Sequence, residues 1–115
     1  MAKSVHRNQE SDDNHMQTHP KKLLVIIGES ALEKFLVRDI KEFGANGYTI
    51  ADVRGGGTRG AREGAWEGDR SIRMEVICDE NVARKIAGHV LSVYAVNFSL
   101  SLYFGDVSVI RGEKF

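Results

Sequence analysis

The first half of the chain contains one apolar run and one amphipathic stripe. Residues 23–27 are all apolar, which is typical of a central strand covered on both faces. The capping-box pattern Ser30-x-x-Glu33 then predicts the start of a helix, which ends at Gly44. The buried stripe of this helix is predicted from apolar residues at helical spacing, Leu32, Phe35, Leu36, Ile40 and Phe43.

Two strands are predicted on either side of a glycine-rich segment. The first of them covers residues 48–54, after Gly47, and the glycine-rich loop then runs from residue 55 to about residue 69. The next strand is indicated by apolar positions that alternate with Arg73 and Glu75. These apolar positions are Ile72, Met74, Val76 and Cys78.

A second helix and a last strand complete the pattern. Asp79 is a predicted cap for a helix whose buried stripe comprises Val82, Ala83, Ile86, Ala87, Val90 and Leu91. Over residues 98–104 apolar side chains occupy even positions, whereas Val107 and Val109 occupy odd ones. Because a slip of one residue exchanges the two faces of a strand, we predict a bulge or break at Gly105-Asp106.

The element order β-α-β-β-α-β predicts an α+β, ferredoxin-like fold, with an antiparallel sheet and two helices on one face. The second face of the sheet would carry alternate residues of the apolar run at 23–27. A small domain that exposes such a face is marginally stable and prone to association. We therefore expect oligomerisation through the sheet, since the tail and the loop are too polar and glycine-rich to cover it.

Composition separates a tail from the domain and limits the function. Residues 1–20 are mostly polar, which predicts a disordered tail before a single domain at 21–115. Sixteen basic and sixteen acidic residues cancel, so no global field favours nucleic acid or a membrane. The lone cysteine, Cys78, is predicted to fill the core. No apolar run is long enough to span a bilayer and no signal-peptide core follows the N-terminus, so a cytoplasmic location is expected.

The segment from Gly55 to Arg62 carries the candidate chemistry. Adjacent glycines allow backbone N–H groups to line a concave anion nest. Arg59 and Arg62 follow, and guanidinium groups match phosphate oxygens bidentately. From these residues alone, a phosphate or carboxylate cradle and a merely flexible, solvated loop are equally compatible with the pattern.

Longer motifs in this region resemble a known family. Gly44-Ala45-x-Gly47-Tyr48-Thr49, followed by Gly55-x-Gly57-Thr58-Arg59-x-x-Arg62, resembles the PII-like signalling proteins, in particular their bicarbonate-transporter and carboxysome-associated branch. The resemblance extends from about residue 22 to residue 115. It implies a homotrimer of ferredoxin-like subunits, with adenine nucleotides bound in clefts between neighbours and a flexible T-loop that reports occupancy to a partner.

The resemblance also implies roles for individual residues. The expected nucleotide- and anion-binding residues of the loop are Gly55, Gly56, Gly57, Thr58, Arg59 and Arg62. Arg111 and Gly112 are expected to contribute from the closing strand. Glu63, Trp66 and Arg70 are the candidate partner-binding residues of the loop.

Effectors and partners follow from the same resemblance. They are ATP, ADP, AMP or cyclic AMP, with ADP and AMP foremost, together with bicarbonate and no required metal. A bicarbonate transporter or a carboxysome-associated protein is the implied partner, which would recruit the protein to the inner membrane or the carboxysome. Some relatives continue into a cysteine-containing segment connected with nucleotide hydrolysis, whereas this chain stops at Phe115 without a second cysteine. Enzymatic activity is therefore not expected.

Other functions compete with this interpretation. A small acyl-phosphate or nucleotide hydrolase could use the same Gly/Arg loop, but no general base stands out, and His89 is predicted on a helix surface or interface. An RNA-recognition module would need aromatic residues on the third strand, and residues 71–78 contain none. A dinucleotide fingerprint is rejected because Gly64 and Gly68 interrupt the helix that it requires, and no Lys-Ser/Thr pair completes a P-loop.

Overall fold

A computed structural model describes residues 16–55 and 70–115. These residues form four strands and two α-helices in the predicted order. The elements are β1 (His19–Glu29), α1 (Glu33–Glu42), β2 (Thr49–Val53), β3 (Ser71–Cys78), α2 (Glu80–Val93) and β4 (Leu100–Val109). Short 3-10 turns at Ser30–Leu32 and Gly112–Lys114 precede α1 and follow β4.

The four strands form one antiparallel sheet in the order β2-β3-β1-β4. The apolar run at 23–27 lies in β1, which is a central strand as predicted. β1 begins at His19, and its first residues, His19 and Pro20, pair with β4 alone, because β3 joins only from Lys22. One edge of β1 is therefore unpaired at Pro20, where a proline is tolerated. The ferredoxin-like prediction is confirmed.

One face of the sheet and the two helices enclose the core. Leu24 and Ile26 of β1, and Met74 and Val76 of β3, are fully buried against the helices. Each such side chain stabilises the fold by about 1.5–3 kcal/mol relative to exposure. The helices contribute the rest of the buried cluster, chiefly Leu32, Leu36, Ile40, Ala83, Ile86, Ala87, Val90 and Tyr94.

The start of α1 differs from the predicted capping box. Ser30 opens a 3-10 turn, and no side-chain cap is formed either there or at the start of α1. The Ser30 N–H donates to the carbonyl of Arg70 at 2.8 Å, so the donor that Glu33 would need for the reciprocal bond is already occupied. Asp79 stands at the start of α2 but likewise makes no cap bond, and its carboxylate accepts from Lys21 Nζ at 2.7 Å.

Two residues of the predicted stripes lie outside the core. Phe35 is 47% exposed and Leu91 is 53% exposed. In α1 the fully buried line runs through Leu36 and Ile40, which are four residues apart, so Phe35 lies one position off this line. Leu91 is displaced in the same way from Val90 in α2.

The predicted break in β4 is wrong. Leu100–Val109 is one strand with an unbroken register against β1, including the pairs Leu23↔Gly105 and Lys22↔Asp106. The apolar phase changes because the two ends of β4 bury opposite faces. Leu100 and Leu102 pack against the helix-side core, whereas Val109 is buried on the other face without any bulge.

The face of the sheet opposite the helices, called here the second face, is mixed in character. It carries the odd-numbered residues of β1 and β3, among them Val25, which is fully buried, and the half-buried Leu23 and Ile77. Arg73 spans β1 on this face, with Nη1 2.6 Å from Glu75 Oε2 and Nη2 3.4 Å from the Tyr103 hydroxyl. No helix of the described chain packs on the second face, since both lie against the core.

Candidate functional site

The glycine-rich segment begins directly after β2. Arg54 and Gly55 follow Val53 and are exposed. Among the residues that the structure describes, no atom other than those of its chain neighbours lies within 4 Å of the position that a Cβ on Gly55 would occupy. The remaining predicted loop residues, Gly56, Gly57, Thr58, Arg59, Arg62, Glu63 and Trp66, lie outside the described residues.

The segment returns to the sheet at Arg70, which is exposed. Val53 and Ser71 form the last pair between β2 and β3, so both ends of the connection lie at the same end of these two strands. The Arg70 carbonyl also accepts the Ser30 N–H, which ties the returning end to the turn before α1. The base of the candidate anion loop is therefore attached to the ordered fold at two points.

Arg111 and Gly112 lie at the other end of the sheet. They follow Val109, which pairs with His19 at the start of β1, whereas Ser71 pairs with Glu29 at its end. A strand rises by about 3.3 Å per residue, so the length of β1 separates these two ends by roughly 30 Å. Within one chain, the structure does not bring Gly55 and Arg70 together with Arg111 and Gly112.

The charge at Arg111 is available to a ligand. Its Nε lies 3.3 Å from Glu113 Oε2, and the two side chains are 67% and 69% exposed. An exposed ion pair of this kind contributes less than about 1 kcal/mol, so a phosphate could replace Glu113 at small cost. Electrostatically, Arg111 therefore remains a candidate anion ligand.

Sequence reasoning missed a buried polar cluster between the two helices. Asp39, whose side chain is 3% exposed, accepts from Arg38 Nε at 3.0 Å and from the Tyr94 hydroxyl, and its Oδ2 lies 3.0 Å from His89 Nε2. Burial by itself raises the pKa of Asp39, but the hydrogen bonds from Tyr94, Arg38 and His89 outweigh it, so the pKa is below its ordinary value. Tyr94, in contrast, has a pKa raised by burial and by its bond to Asp39.

This cluster connects α1 to the second helix and to Tyr94, which follows it directly. His89 was predicted on a helix surface or interface, and it lies 30% exposed against α1, with its ring 5.1 Å from that of Phe43. The available sequence signal was Asp39 itself, which falls three positions after Leu36 and beside Ile40 on the buried stripe. Cys78 is buried and its pKa is raised by burial, as expected of a core residue.

A comparison with known protein families identifies the chain. Residues 21–114 match the model of a family described as nitrogen regulatory protein P-II. The chain belongs to the P-II family. The resemblance inferred from the Gly-Tyr-Thr strand and the Gly/Arg spacing is thus confirmed, and the protein is a PII-like regulatory protein.

Solved structures of P-II relatives have the same fold as this chain. A structure described as a PII-like signalling protein, from Thermus thermophilus, is 44% identical, with 87% of this chain and 99% of that chain covered and a TM-score of 0.74. CPII from Thiomonas intermedia, bound to ADP, AMP and bicarbonate, is 25% identical, with coverage of 87% and 97% and a TM-score of 0.74. The same protein bound to ADP and bicarbonate is 27% identical, with coverage of 87% and 98% and a TM-score of 0.74.

Two further observations concern the described parts of this P-II protein, residues 16–55 and 70–115. Neither of their helices combines the length and apolar character needed to cross a bilayer. Within the same residues, no three His, Cys, Asp or Glu side chains are grouped so that they could hold a metal ion.

Proposed function

We propose that this P-II protein is a homotrimeric sensor of adenine nucleotides, with ADP and AMP as its foremost ligands and bicarbonate as a second effector. The observation that carries the proposal is the separation of Gly55 and Arg70 from Arg111 and Gly112, at opposite ends of β1. Two half-sites that one subunit holds apart can meet when a neighbouring subunit supplies the other half. The nucleotide would therefore bind between subunits.

The chemistry of the two half-sites suits a nucleotide phosphate. The first half would offer the backbone N–H groups of the glycine segment with Arg59 and Arg62, and the second half would offer Arg111 and the backbone at Gly112. Guanidinium groups from two directions can neutralise a diphosphate, whereas a single exposed arginine gains little in water. Bicarbonate, which carries a single charge, would bind better beside a phosphate that has already ordered the nest.

The solved relatives support this ligand class. CPII has been solved with ADP, AMP and bicarbonate together, and it shares the fold of this chain at 25–27% identity. We transfer the ligand class to this chain on the basis of family membership and the Arg/Gly residues. ATP and cyclic AMP belong in the same test panel, because one phosphate cradle accommodates each of them.

The proposed output is a change in the connection between β2 and β3. Glu63, Trp66 and Arg70 would contact a partner in inorganic-carbon uptake or fixation, either a bicarbonate transporter or a carboxysome-associated protein. A ligand can shift the equilibrium between two conformations of this connection only to the extent that it binds one of them more tightly than the other. Arg59 and Arg62 would supply that difference, because they belong both to the connection and to the phosphate site. This role is regulatory and requires no turnover of the nucleotide.

Subunit mixing tests the location of the site. Arg62→Ala and Arg111→Ala are each expected to abolish saturable ADP binding in calorimetry, because each removes one half-site from every cleft. The two variants are mixed in equal amounts, unfolded together and refolded, so that their subunits assemble at random. About a quarter of the clefts in a cyclic trimer then combine two intact halves. ADP binding should then return at about a quarter of the sites, with the affinity of the native protein.

The control for this experiment is Arg84→Ala. Arg84 is also an exposed arginine paired with a glutamate, Glu80, at 2.8 Å, but it lies on α2. It should leave ADP binding unchanged. If the mixed variants recover no binding although each is trimeric, the site lies within one subunit and the proposal is wrong. If the native protein binds no adenine nucleotide, with or without bicarbonate, the proposed ligand class is wrong.

A further inference from the structure

The turn that follows β4 rests on the imidazole ring of His19. His19 is the first residue of β1 and pairs with Val109 of β4. Three residues after Val109, Gly112 begins the 3-10 turn Gly112–Lys114. A methyl group on Gly112 would lie 2.9 Å from both Cγ and Cδ2 of His19 and 3.3 Å from its Cβ.

Space, not backbone conformation, requires glycine at position 112. Among the described residues, a positive φ occurs at Gly44 and not at Gly112. The obstructing atoms are the root of the His19 side chain, which cannot swing away as the end of a long side chain can. Since Cβ of His19 is fixed by the β1–β4 pairing, the base of the ring occupies the space that a side chain on Gly112 would need.

The same turn determines the direction of Arg111. Arg111 leaves the strand with φ −112° and ψ 83°, and its carbonyl accepts the Lys114 N–H at 3.0 Å. The Phe115 N–H donates to the carbonyl of Gly112 at 3.1 Å, which closes the turn. A backbone seated on a fixed ring therefore fixes the starting direction of the Arg111 side chain.

We infer that His19 is a positioning residue for the Arg111–Gly112 half of the nucleotide site, and that it acts as a flat platform beneath the turn. The inference rests on the proposed function, since it assumes that this half binds phosphate. His19 belongs to no motif of the glycine loop, and it acts through Arg111 without touching the ligand.

A double-mutant cycle measured by ADP calorimetry tests the platform. His19→Ala should weaken ADP binding at least about threefold, and Gly112→Ala should weaken it by about tenfold or more. In the His19→Ala background, Gly112→Ala should cost clearly less, because the ring that opposes the new methyl group is gone. His19→Phe keeps a flat ring at the same position and should bind ADP within about twofold of the native protein.

The control is Gly88→Ala. Gly88 lies on α2, and among the described residues no atom lies within 4 Å of the position that a methyl group there would occupy, so ADP binding should not change. Proton NMR gives a readout without nucleotide: the Gly112 α-protons should show a ring-current shift in the native protein and in His19→Phe, and lose it in His19→Ala.

Each outcome bears on the inference. Additive effects in the cycle, or a loss in His19→Phe as large as in His19→Ala, would overturn the platform role while native ADP binding upheld the proposed function. Failure of the native protein to bind any adenine nucleotide would overturn the proposed function and the positioning role together. The NMR shift would then still show whether the ring contacts the turn.

Discussion

Asp39 shows how a buried charge can be retained in a small domain. Its two oxygens accept from three side chains of both helices, and within the described residues no buried side-chain polar atom lacks a hydrogen-bond partner. Breaking one member of such a network leaves other buried donors unpaired, which costs more than the network contributes in net terms. Because hydrogen bonds are directional and apolar contacts are not, the cluster fixes the position of α1 relative to α2.

Asp39→Asn is expected to lower the free energy of unfolding by about 2 kcal/mol, because a neutral amide cannot accept from Arg38, His89 and Tyr94 together. Urea unfolding near neutral pH, at one fixed protein concentration, measures the change. Asp106→Asn is the matched control, since Asp106 also pairs with a cation, Lys22, but its side chain is 87% exposed. Its effect should stay within about 0.5 kcal/mol; equal losses in the two variants would contradict the structural role of Asp39.

The same carboxylate predicts a pH dependence of stability. The folded-state pKa of Asp39 is lowered, so its contribution is fully present above the unfolded-state value of about 4 and is lost as the pH falls through the folded value. The stability difference between the native protein and Asp39→Asn should therefore be constant near neutrality and shrink below about pH 4. A difference that grew on acidification would show that the lowered pKa is assigned wrongly.

At the scale of elements, the helix ends are determined by backbone conformation and by neighbouring strands. α1 ends where Gly44 adopts φ 98°, with its N–H donating to the Lys41 carbonyl at 3.1 Å. Within the described residues, no atom lies within 4 Å of the position that a Cβ on Gly44 would occupy, so the left-handed conformation is what requires glycine there. Gly88 in α2 has the same open surroundings without the positive φ.

These two glycines form a matched pair for mutation. Gly44→Ala should destabilise the protein by about 1 kcal/mol, because alanine is strained in the left-handed region. Gly88→Ala should stabilise it by about 0.5–1 kcal/mol, because alanine restricts the unfolded chain and favours the helix. Thermal unfolding of both variants under the same conditions gives the comparison. Opposite signs are the diagnostic result, and two changes of the same sign would contradict this account of the end of α1.

Periodicity predicted the elements but not the contacts between them. The apolar run of β1 and the alternation in β3 depend on the local pattern alone, and both strands were predicted correctly. The cap at Ser30 and the break at Gly105 were predicted wrongly, because the Arg70 carbonyl and the burial of the second face decide them from far along the chain. The Asp39 cluster depends on which sides of α1 and α2 meet, and a single sequence does not contain that information. Arg111 was predicted as a nucleotide ligand only through the family resemblance, and this role stays a prediction.

At the scale of the whole molecule, the second face of the sheet is partly apolar and partly exposed. It presents the half-buried Leu23 and Ile27 of β1, on either side of the fully buried Val25, flanked by the half-buried Ile77 of β3 and by Tyr103, which is 48% exposed. The polar bridge from Arg73 to Glu75 and Tyr103 covers only part of this apolar strip. Three copies of the face packed around an axis would bury the strip and, in the proposed arrangement, would also bring Arg111 of one subunit to the glycine segment of the next.

Ile77→Glu tests both consequences of this packing at once. Ile77 is half-buried on the second face and pairs with Leu23, so a carboxylate there would lose its water in the proposed trimer interface, which costs free energy. Light scattering after size exclusion should show the mass of a trimer for the native protein and of a monomer for the variant. ADP binding should be lost with the trimer, because each proposed cleft needs two subunits.

Leu91→Glu is the control: Leu91 is 53% exposed on α2, so the same charge should leave both mass and binding unchanged. A trimeric Ile77→Glu would place the subunit interface elsewhere, whereas a folded monomer that still binds ADP would show that one chain holds the complete site.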